Sequence, residues 1–396
     1  MTTRRQKTAT RWVRRLLLVT GGVVALLIAI VLGVYGWAWL STDESTLARA
    51  MIWRESDVGD QDRFPARRIP AGGHVSPLGT GAEADLIVTG EGKGLDEFLR
   101  DTDTLAFLVV HDDRLAYERY FDGSSRESLQ TSFSVAKSFV STLVGIAIDE
   151  GLIGGVEDPV TKYLPELAAR DRRFQKITLR DLLTMSSGIR YRERGFPRLG
   201  DDTHTYYGVD LREVALERTR IAEPPGTWHY NNFHPLLLGL ALERTAQTSV
   251  SDFMAKKLWQ PLGAEADATW NLDSEDSGFE KLESGVNARA VDYARFGLLF
   301  LHDGRWNGRR ILSKGWVRAA TGADPAVATA AYFGYAYFWW IDADRPGRFY
   351  AFGKYGQYIY VAPDAKTVVV RLGRDWGVDN GTWLATFRDL ADQLAR

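Results

Sequence analysis

The sequence from residue 133 to residue 150 reads FSVAKSFVSTLVGIAIDE. Its apolar residues recur at the spacing of one helix face, at Phe139, Val140, Leu143, Val144 and Ala147. Gly151 follows as a C-cap, so the run predicts one long helix. Ser134 and Lys137 lie three residues apart at its start, which places a hydroxyl and an amine on one face and within reach of each other.

This pair of side chains points to nucleophilic catalysis. A serine hydroxyl is a poor nucleophile until a neighbour takes its proton, and an unprotonated lysine can do so. The helix N-terminus adds partial positive charge and free N–H groups, which favour an oxyanion. Since lysine normally titrates at about pH 10.4, the base has to be desolvated or to lie near another cation. Ser-x-x-Lys by itself is also common on solvated helix faces.

Two further segments support the catalytic interpretation. Residues 225–232 read PGTWHYNN, in which a Pro-Gly turn presents Tyr230 and Asn232 as Tyr-x-Asn. Residues 353–357 read GKYGQ and lie between two aromatic-rich segments that are typical of strands. With these motifs the chain resembles the family of class C β-lactamases, serine D-alanyl-D-alanine carboxypeptidases, related esterases and 6-aminohexanoate-dimer hydrolases. The resemblance covers about residue 105 to the C-terminus and includes connecting segments such as DPVTKYLP from residue 158, QPLG from residue 260 and DGRWNG from residue 303.

The resemblance implies roles for three catalytic residues. Ser134 would be the acylated nucleophile and Lys137 its base partner. Tyr230 would carry a proton between the nucleophile, the leaving group and the deacylating water.

It also implies a set of binding residues. Asn232 would hydrogen-bond the substrate, and Lys354 would supply positive charge to the site and face a substrate carboxylate. The oxyanion hole would consist of the backbone N–H groups of Ser134 and Gln357. Gly356 would let the substrate carbonyl approach the strand closely.

Departures from the family pattern bear on the substrate. Tyr355 stands where β-lactamases and carboxypeptidases usually have a small hydroxyl residue, which favours the amidase and esterase branch. The segment Tyr191 to Tyr207 is predicted to form a loop at the mouth of the site, and its tyrosines either bind an amide substrate or pack. Its aromatic and basic residues include Arg192, Arg194, Tyr206 and Tyr207, and Arg190 lies directly before it.

The sequence therefore predicts a serine hydrolase that cleaves amide or ester bonds in a small-molecule substrate through an acyl intermediate on Ser134. Within the family, the esterase and 6-aminohexanoate-dimer hydrolase branch is the best match. A D-alanyl-D-alanine carboxypeptidase or a β-lactamase is the alternative, and a β-lactam sensor that is acylated without turnover is an alternative of another class. The segment of about fifteen residues before the apolar run is too short for a folded signalling domain, which favours the enzyme.

The order of periodic segments predicts an α+β fold. A β-hairpin is expected over residues 104–121, and further strands over 334–341, 349–352, 357–361 and 367–372. Residues 158–282 are mostly helical in pattern, and helices are also expected over 288–301 and 383–394. This order indicates a β-lactamase/transpeptidase-like antiparallel sheet built from both ends of the domain, with a helical region inserted over about residues 140–285.

The N-terminal part predicts a membrane anchor. Six basic residues precede the first acidic residue, Asp43. Residues 16–40 carry no charge, and the length of this run exceeds the roughly 20 residues needed to cross a bilayer. The expected organisation is a cytoplasmic basic segment (1–15), one transmembrane helix (16–40), a stalk with little core (41–94) and an extracytoplasmic hydrolase domain (95–396) at the inner membrane. A cleaved signal peptide is the alternative, although Trp37 and Trp39 stand where small cleavage-site residues are usual.

Several other functions are disfavoured by composition. A net charge of -2 gives no field for nucleic acid, and the absence of cysteine removes thiol chemistry and cysteine metal sites. The six histidines form no metal-binding spacing, and His229 and His234 are interpreted as structural. No Gly-x-Ser-x-Gly elbow is present. No cofactor or metal is expected, and the sequence leaves the oligomeric state open.

Overall fold

An eight-stranded sheet forms the centre of the domain. The computed structural model describes residues 2–81, 84, 86–88, 93–193, 200–322 and 334–396, with side chains from residue 12 onward. The strands are β1 (Ala66–Ile69), β2 (Gly79–Thr80), β3 (Ile87–Val88), β4 (Lys93–Gly94), β5 (Thr104–His111), β6 (Arg114–Tyr120), β7 (Gln130–Thr131), β8 (Ala268–Asn271), β9 (Val286–Ala288), β10 (Arg305–Trp306), β11 (Arg309–Arg310), β12 (Tyr335–Ala336), β13 (Trp339–Ile341), β14 (Phe349–Gly353), β15 (Gln357–Ala362) and β16 (Thr367–Gly373).

The strand order confirms that both ends of the domain build one sheet. The order is β12-β13-β14-β15-β16-β5-β6-β2, so the C-terminal β16 pairs antiparallel with β5, the first long strand. Neighbouring strands of this sheet are antiparallel, except that β2 runs parallel to β6. A second sheet has the order β1-β8-β9-β7, and β3 with β4 and β10 with β11 form two-stranded pairs.

Helices cover both faces of the central sheet. They are α1 (Thr2–Leu40), α2 (Thr46–Trp53), α3 (Leu95–Asp101), α4 (Ala136–Asp149), α5 (Pro165–Arg170), α6 (Leu179–Leu183), α7 (Asp201–Tyr207), α8 (Leu211–Glu213), α9 (Phe233–Ala246), α10 (Val250–Met254), α11 (Gln260–Leu262), α12 (Ala290–Leu301), α13 (Lys314–Ala320) and α14 (Asn380–Leu394). Short 3₁₀ helices lie at Val58–Asp62, Phe133–Val135, Val160–Lys162, Arg172–Lys176 and Pro363–Ala365, and π turns at Val214–Arg218 and Ala255–Trp259.

The alternation of side chains along β5 explains why both faces need covering. Ala106, Leu108 and Val110 join a core cluster with α4, α9 and α12, whereas Phe107 and Val109 join a second cluster with α3 and α14. Successive side chains of a strand point to opposite faces, so a strand that is apolar throughout must be buried on both. The result is a helix–sheet–helix arrangement in which α12 packs directly against β5, β15 and β16, and α4, which follows the predicted nucleophile, packs against α9.

Two predicted elements differ from the structure. Residues 334–341, predicted as one strand, form a hairpin of β12 and β13. Tyr337 and Phe338 make its turn with φ of 37° and 66°, a conformation that large side chains adopt rarely and that composition therefore does not signal. The mostly helical region also contains β8, which pairs with both β1 and β9.

The expectation of little core in residues 41–94 is wrong. Strand β1 pairs with β8 over four residues, and Ala48, Ala50 and Phe64 are buried. Arg49 is only 1% exposed, and its guanidinium donates to the backbone carbonyls of Thr42 and Asp273. The segment is therefore packed onto the domain and is not an extended stalk.

Helix α1 contains the apolar run. Its part from Trp12 to Leu40 is 29 residues long, is exposed along most of its length with Ala38 buried near its end, and is long and apolar enough to cross a membrane. An N-terminal signal sequence passes the same test of length and composition.

Candidate active site

Ser134 and Lys137 meet at the start of α4, as their spacing predicts. Ser134 lies in the 3₁₀ turn Phe133–Val135, and α4 begins at the residue that follows this turn. The Nζ atom of Lys137 is 2.9 Å from Ser134 Oγ and donates a hydrogen bond to the backbone carbonyl of Glu283 at 2.8 Å. Lys137 is 1% exposed. A serine hydroxyl thus contacts a desolvated amine at a helix N-terminus, the arrangement in which an amine can take a proton from a hydroxyl.

The backbone around Ser134 is shaped by two unusual positions. Phe133 has a φ of 42°, in the left-handed region that costs a non-glycine residue free energy and that is frequent beside reactive groups. Gly353, the last residue of β14, lies so close that a Cβ atom there would be 2.4 Å from the Ser132 carbonyl oxygen and 3.1 Å from the Ser134 nitrogen. Only glycine therefore lets the end of β14 lie against the backbone of the predicted nucleophile.

The Glu283 carbonyl that Lys137 contacts is held by a buried ion pair that sequence reasoning missed. Lys281 Nζ lies 3.0 Å from Glu283 Oε1, and both side chains are at most 2% exposed. The Ser284 hydroxyl donates to the same oxygen at 2.9 Å. Burial lowers the pKa of Lys281. No local sequence pattern indicates this ion pair, because only folding brings the Glu283 carbonyl against Lys137 of α4.

Tyr230 belongs to an aromatic group beside the lysine. Its ring centroid is 4.9 Å from Lys137 Nζ, which is a cation–π distance. The ring stacks on Trp340 with centroids 6.4 Å apart, and Trp228 and Tyr335 pack at 6.5 and 6.3 Å. These contacts fix the ring, so that Tyr230 and Ser134 face a common space.

Asn232 presents a buried acceptor to the same space. Its Nδ2 donates to the Tyr191 hydroxyl at 2.8 Å, and this hydroxyl also bonds Thr205 at 3.0 Å. Burial raises the pKa of Tyr191 well above its usual value, so the hydroxyl stays neutral. Within the part of the chain that is described, Asn232 Oδ1 is buried and has no hydrogen-bond partner. A substrate N–H group would satisfy it.

A cavity of about 800 Å³ brings Ser134, Tyr230, Asn232 and Lys354 together. Its other lining residues are Glu55, Ser56, Glu193, Asp202, Thr203, Tyr206, Tyr207, Trp228, Trp340, Phe352, Gly353 and Trp376. Lys137 lies behind Ser134 in the protein interior. The size suits a small organic substrate, and the aromatic residues offer apolar surface beside the polar and charged side chains of the lining.

The Lys354 ammonium contacts two residues that precede the domain predicted from sequence, which begins at residue 95. Its ammonium donates to Ser56 Oγ at 2.8 Å and lies 3.9 Å from a carboxylate oxygen of Glu55. The adjacent Tyr355, with φ of 61°, donates its hydroxyl to the backbone carbonyl of Ser56. Sequence reasoning missed Glu55 and Ser56, because their segment has weak periodicity and resembles no motif.

Gly356 and Gln357 are not among the residues that line this cavity, and their part in an oxyanion hole stays a prediction. Gln357 is the first residue of β15 and pairs with Gly353, and its buried side chain bonds the backbone of Gly373 at 2.8 and 3.1 Å. Gly356 has a φ of 74°, and a Cβ atom there would lie 2.0 Å from a guanidinium nitrogen of Arg371. The turn and the buried arginine, rather than a substrate carbonyl, account for this glycine.

The segment predicted as a loop at the mouth of the site is partly helical. Tyr206 and Tyr207 end α7 and line the cavity, but the Tyr206 hydroxyl donates to Asp60 at 2.8 Å and the Tyr207 hydroxyl donates to the Arg54 carbonyl. Burial raises the pKa of both Asp60 and Tyr206. Arg194 lies outside the described residues. These tyrosines therefore attach the N-terminal segment to the cavity wall.

The two histidines beside the Tyr-x-Asn motif make structural contacts. His229 bonds the Tyr191 carbonyl at 3.0 Å, and buried His234 bonds the Ser187 hydroxyl at 2.6 Å. Burial lowers the pKa of His234 to about 3. Among the residues whose placement is described, no group of His, Asp and Glu side chains is suited to hold a metal ion.

Comparison with known proteins is consistent with this geometry. Residues 95–385 match the model of the β-lactamase family. A 6-aminohexanoate-dimer hydrolase of Paenarthrobacter ureafaciens is 29% identical over 322 residues, which are 75% of this chain and 81% of the relative. A structure from Bacillus anthracis, provisionally assigned as a 6-aminohexanoate-dimer hydrolase, has 24% identity and a TM-score of 0.76 over 90% of this chain and 95% of that one. EstCE1, a hydrolase with promiscuous acyltransferase activity, has 17% identity and a TM-score of 0.60 over 75% of this chain and 96% of that one.

Proposed function

The chain belongs to the β-lactamase family and is a hydrolase, and from this premise we propose that it cleaves amide or ester bonds through an acyl intermediate on Ser134. The observation that carries the proposal is the 2.9 Å contact between Ser134 Oγ and the buried amine of Lys137. The contact lies at a helix N-terminus and opens into a cavity of substrate size.

Acylation begins with transfer of the hydroxyl proton. The Lys137 amine, whose Nζ donates to the Glu283 carbonyl and lies 2.9 Å from Ser134 Oγ, accepts the hydroxyl proton as Oγ attacks the substrate carbonyl. The Tyr230 ring 4.9 Å away stabilises the ammonium that forms.

The oxyanion requires two N–H donors near Ser134. We assign one to the Ser134 backbone, as predicted from sequence. The close approach of Gly353 to the Ser134 nitrogen, together with the cavity lining, favours the backbone N–H of Lys354 as the second donor in place of Gln357. A pair of preorganised backbone donors contributes about 10²–10³ in rate for each donor removed in comparable sites.

Tyr230 is proposed to complete the proton transfers. A proton passes from Lys137 through the tyrosine hydroxyl to the leaving nitrogen or oxygen, and the bond between acyl carbon and leaving group breaks. In deacylation a water molecule loses its proton along the reverse path, attacks the acyl carbon and releases Ser134. Asn232 Oδ1 accepts a hydrogen bond from a substrate N–H during both steps.

The substrate is proposed to be a small amide or ester rather than a β-lactam. Tyr355 supplies no small hydroxyl to the cavity, and the wall of Trp228, Trp340 and Trp376 suits apolar chains. A carboxypeptidase or β-lactamase, and a sensor that retains its acyl group, remain the alternatives. Acylation requires Ser134 in all of these alternatives, and turnover distinguishes the enzyme from the sensor.

The test is labelling and turnover in the full chain. A fluorophosphonate probe should label the wild-type chain at Ser134, and Ser134→Ala should lose both labelling and hydrolysis of p-nitrophenyl esters. Ser138→Ala is a matched control, because this serine is one turn along α4 but donates to the Phe338 carbonyl. Persistent labelling of folded Ser134→Ala would refute the proposed nucleophile. Labelling without turnover of esters, amides, nitrocefin or D-Ala-D-Ala peptides would favour the sensor.

A further inference from the structure

The segment between the apolar helix and the β-lactamase family region contributes a wall of the cavity. Glu55 and Ser56 line the cavity, although the family match begins at residue 95. The segment is held from several sides: β1 pairs with β8, Tyr206 bonds Asp60, and Arg49 is buried. A wall fixed in this way differs from a flexible linker that lies near the site by chance.

The contacts of Ser56 are directed at the Lys354–Tyr355 turn. Ser56 is 9% exposed, its hydroxyl accepts from Lys354 Nζ at 2.8 Å, and its carbonyl accepts from the Tyr355 hydroxyl. Glu55, with a side chain that is 77% exposed, adds a carboxylate 3.9 Å from the same ammonium. One dipeptide therefore provides the lysine with both a hydrogen-bond acceptor and a negative charge.

We infer that Glu55 and Ser56 determine substrate specificity by occupying Lys354, so that the site disfavours substrates that carry a carboxylate. A substrate carboxylate that binds Lys354 has to share the ammonium with the Ser56 hydroxyl and to approach the negative charge of Glu55. Like charges at close range disfavour each other, whereas a neutral acyl chain meets no such penalty. The inference rests on the proposed function, because it concerns the selectivity of the Ser134 reaction.

The test compares matched substrates in the full-length protein. p-Nitrophenyl butyrate is neutral, and the p-nitrophenyl half-esters of succinate, glutarate and adipate carry a carboxylate at increasing reach. The measured quantity is kcat/KM for each half-ester divided by kcat/KM for butyrate. In Ser56→Ala this ratio should rise at least about threefold for one or more half-esters, through a lower KM, because the ammonium is released. In Glu55→Gln it should rise about two- to fivefold at low salt, and less at high salt because exposed charges are screened.

Ser45→Ala is the control for a serine of the same segment. Ser45 caps α2 and does not line this cavity, so the ratio should stay at the wild-type value. An unchanged ratio in both folded Ser56→Ala and Glu55→Gln, or an equal rise in Ser45→Ala, would overturn the inference. Since Glu55 is exposed, its variant tests the idea even if Ser56→Ala fails to fold. Hydrolysis that persists in Ser134→Ala would instead refute the proposed function, so the two failures are distinguishable.

Discussion

At the scale of single residues, the surroundings of Lys137 explain how an ordinary amine could serve as a base. Its side chain is 1% exposed, and its nitrogen has three neighbours: Ser134 Oγ, the Glu283 carbonyl and the face of Tyr230. Lys354, which the sequence analysis expects to supply positive charge to the site, is engaged by Ser56 and Glu55 on the cavity wall. The positive charge of Lys354 is therefore partly compensated at the cavity wall and is not a second free ammonium beside Lys137.

Replacing Lys137 by Met should separate the base from its packing role. Methionine keeps most of the side-chain volume but cannot accept a proton, so kcat/KM should fall by about 10²–10⁴ or more for all substrates. Steady-state kinetics on a p-nitrophenyl ester and the matching p-nitroanilide, with circular dichroism as the check on folding, measure the effect. Near-normal rates on both substrates would remove lysine as the activating base.

Tyr230→Phe should show a different pattern. The phenylalanine ring preserves the stacking on Trp340 and the contact with Lys137, and only the hydroxyl is lost. An amine leaving group needs a proton and p-nitrophenolate does not, so the anilide rate should fall more than the ester rate. An equal fall on both substrates would contradict a role for Tyr230 in protonating the leaving group.

At the scale of elements, sequence periodicity predicted the parts whose side chains alternate or recur regularly. The β5–β6 hairpin and the helix α4 agree with prediction because their apolar spacing reflects burial on known faces. The β12–β13 turn was missed because large residues at positive φ give no turn signal, and the packing of residues 41–94 was missed because it depends on distant partners. The same limit applies within the site: Ser134 and Lys137 are neighbours on one helix, whereas Ser56 meets Lys354 only after folding.

Helix α9 gives a prediction about acid stability. Its His234 is buried, and burial lowers the pKa to about 3, against about 6.5 in an unfolded chain. Between these values the unfolded state binds one more proton, so the free energy of unfolding rises with pH and is lost on acidification. From pH 7 to pH 5 this histidine should cost about 2 kcal/mol of stability.

The pH dependence of the Tm of the full chain in detergent checks this contribution. His234→Gln keeps a polar group near Ser187 but does not titrate, so its Tm should fall less between pH 7 and pH 5 than that of the wild type. His74→Gln changes an exposed histidine and should leave the slope unaltered. Identical slopes in His234→Gln and the wild type would show that His234 does not contribute.

At the scale of the whole molecule, the apolar helix and the catalytic domain are joined closely. Helix α1 ends at Leu40 and α2 begins at Thr46, and Arg49 of α2 is already buried in the domain. If α1 crosses a bilayer, the short turn between the helices holds the domain at the membrane surface. The chain from residue 46 to residue 64 then connects the membrane anchor to the wall of the cavity that contacts Lys354.

The orientation of this assembly can be tested because the chain contains no cysteine. The basic residues before the apolar run predict that they stay in the cytoplasm and that the domain lies outside. Gln175→Cys, on the exposed surface of the domain, should react with a membrane-impermeant maleimide in intact spheroplasts, whereas Thr8→Cys should react only after lysis. The reverse pattern would show a cytoplasmic domain. Loss of the Thr8→Cys segment from the mature protein, with the domain released from the membrane, would identify the apolar run as a cleaved signal sequence.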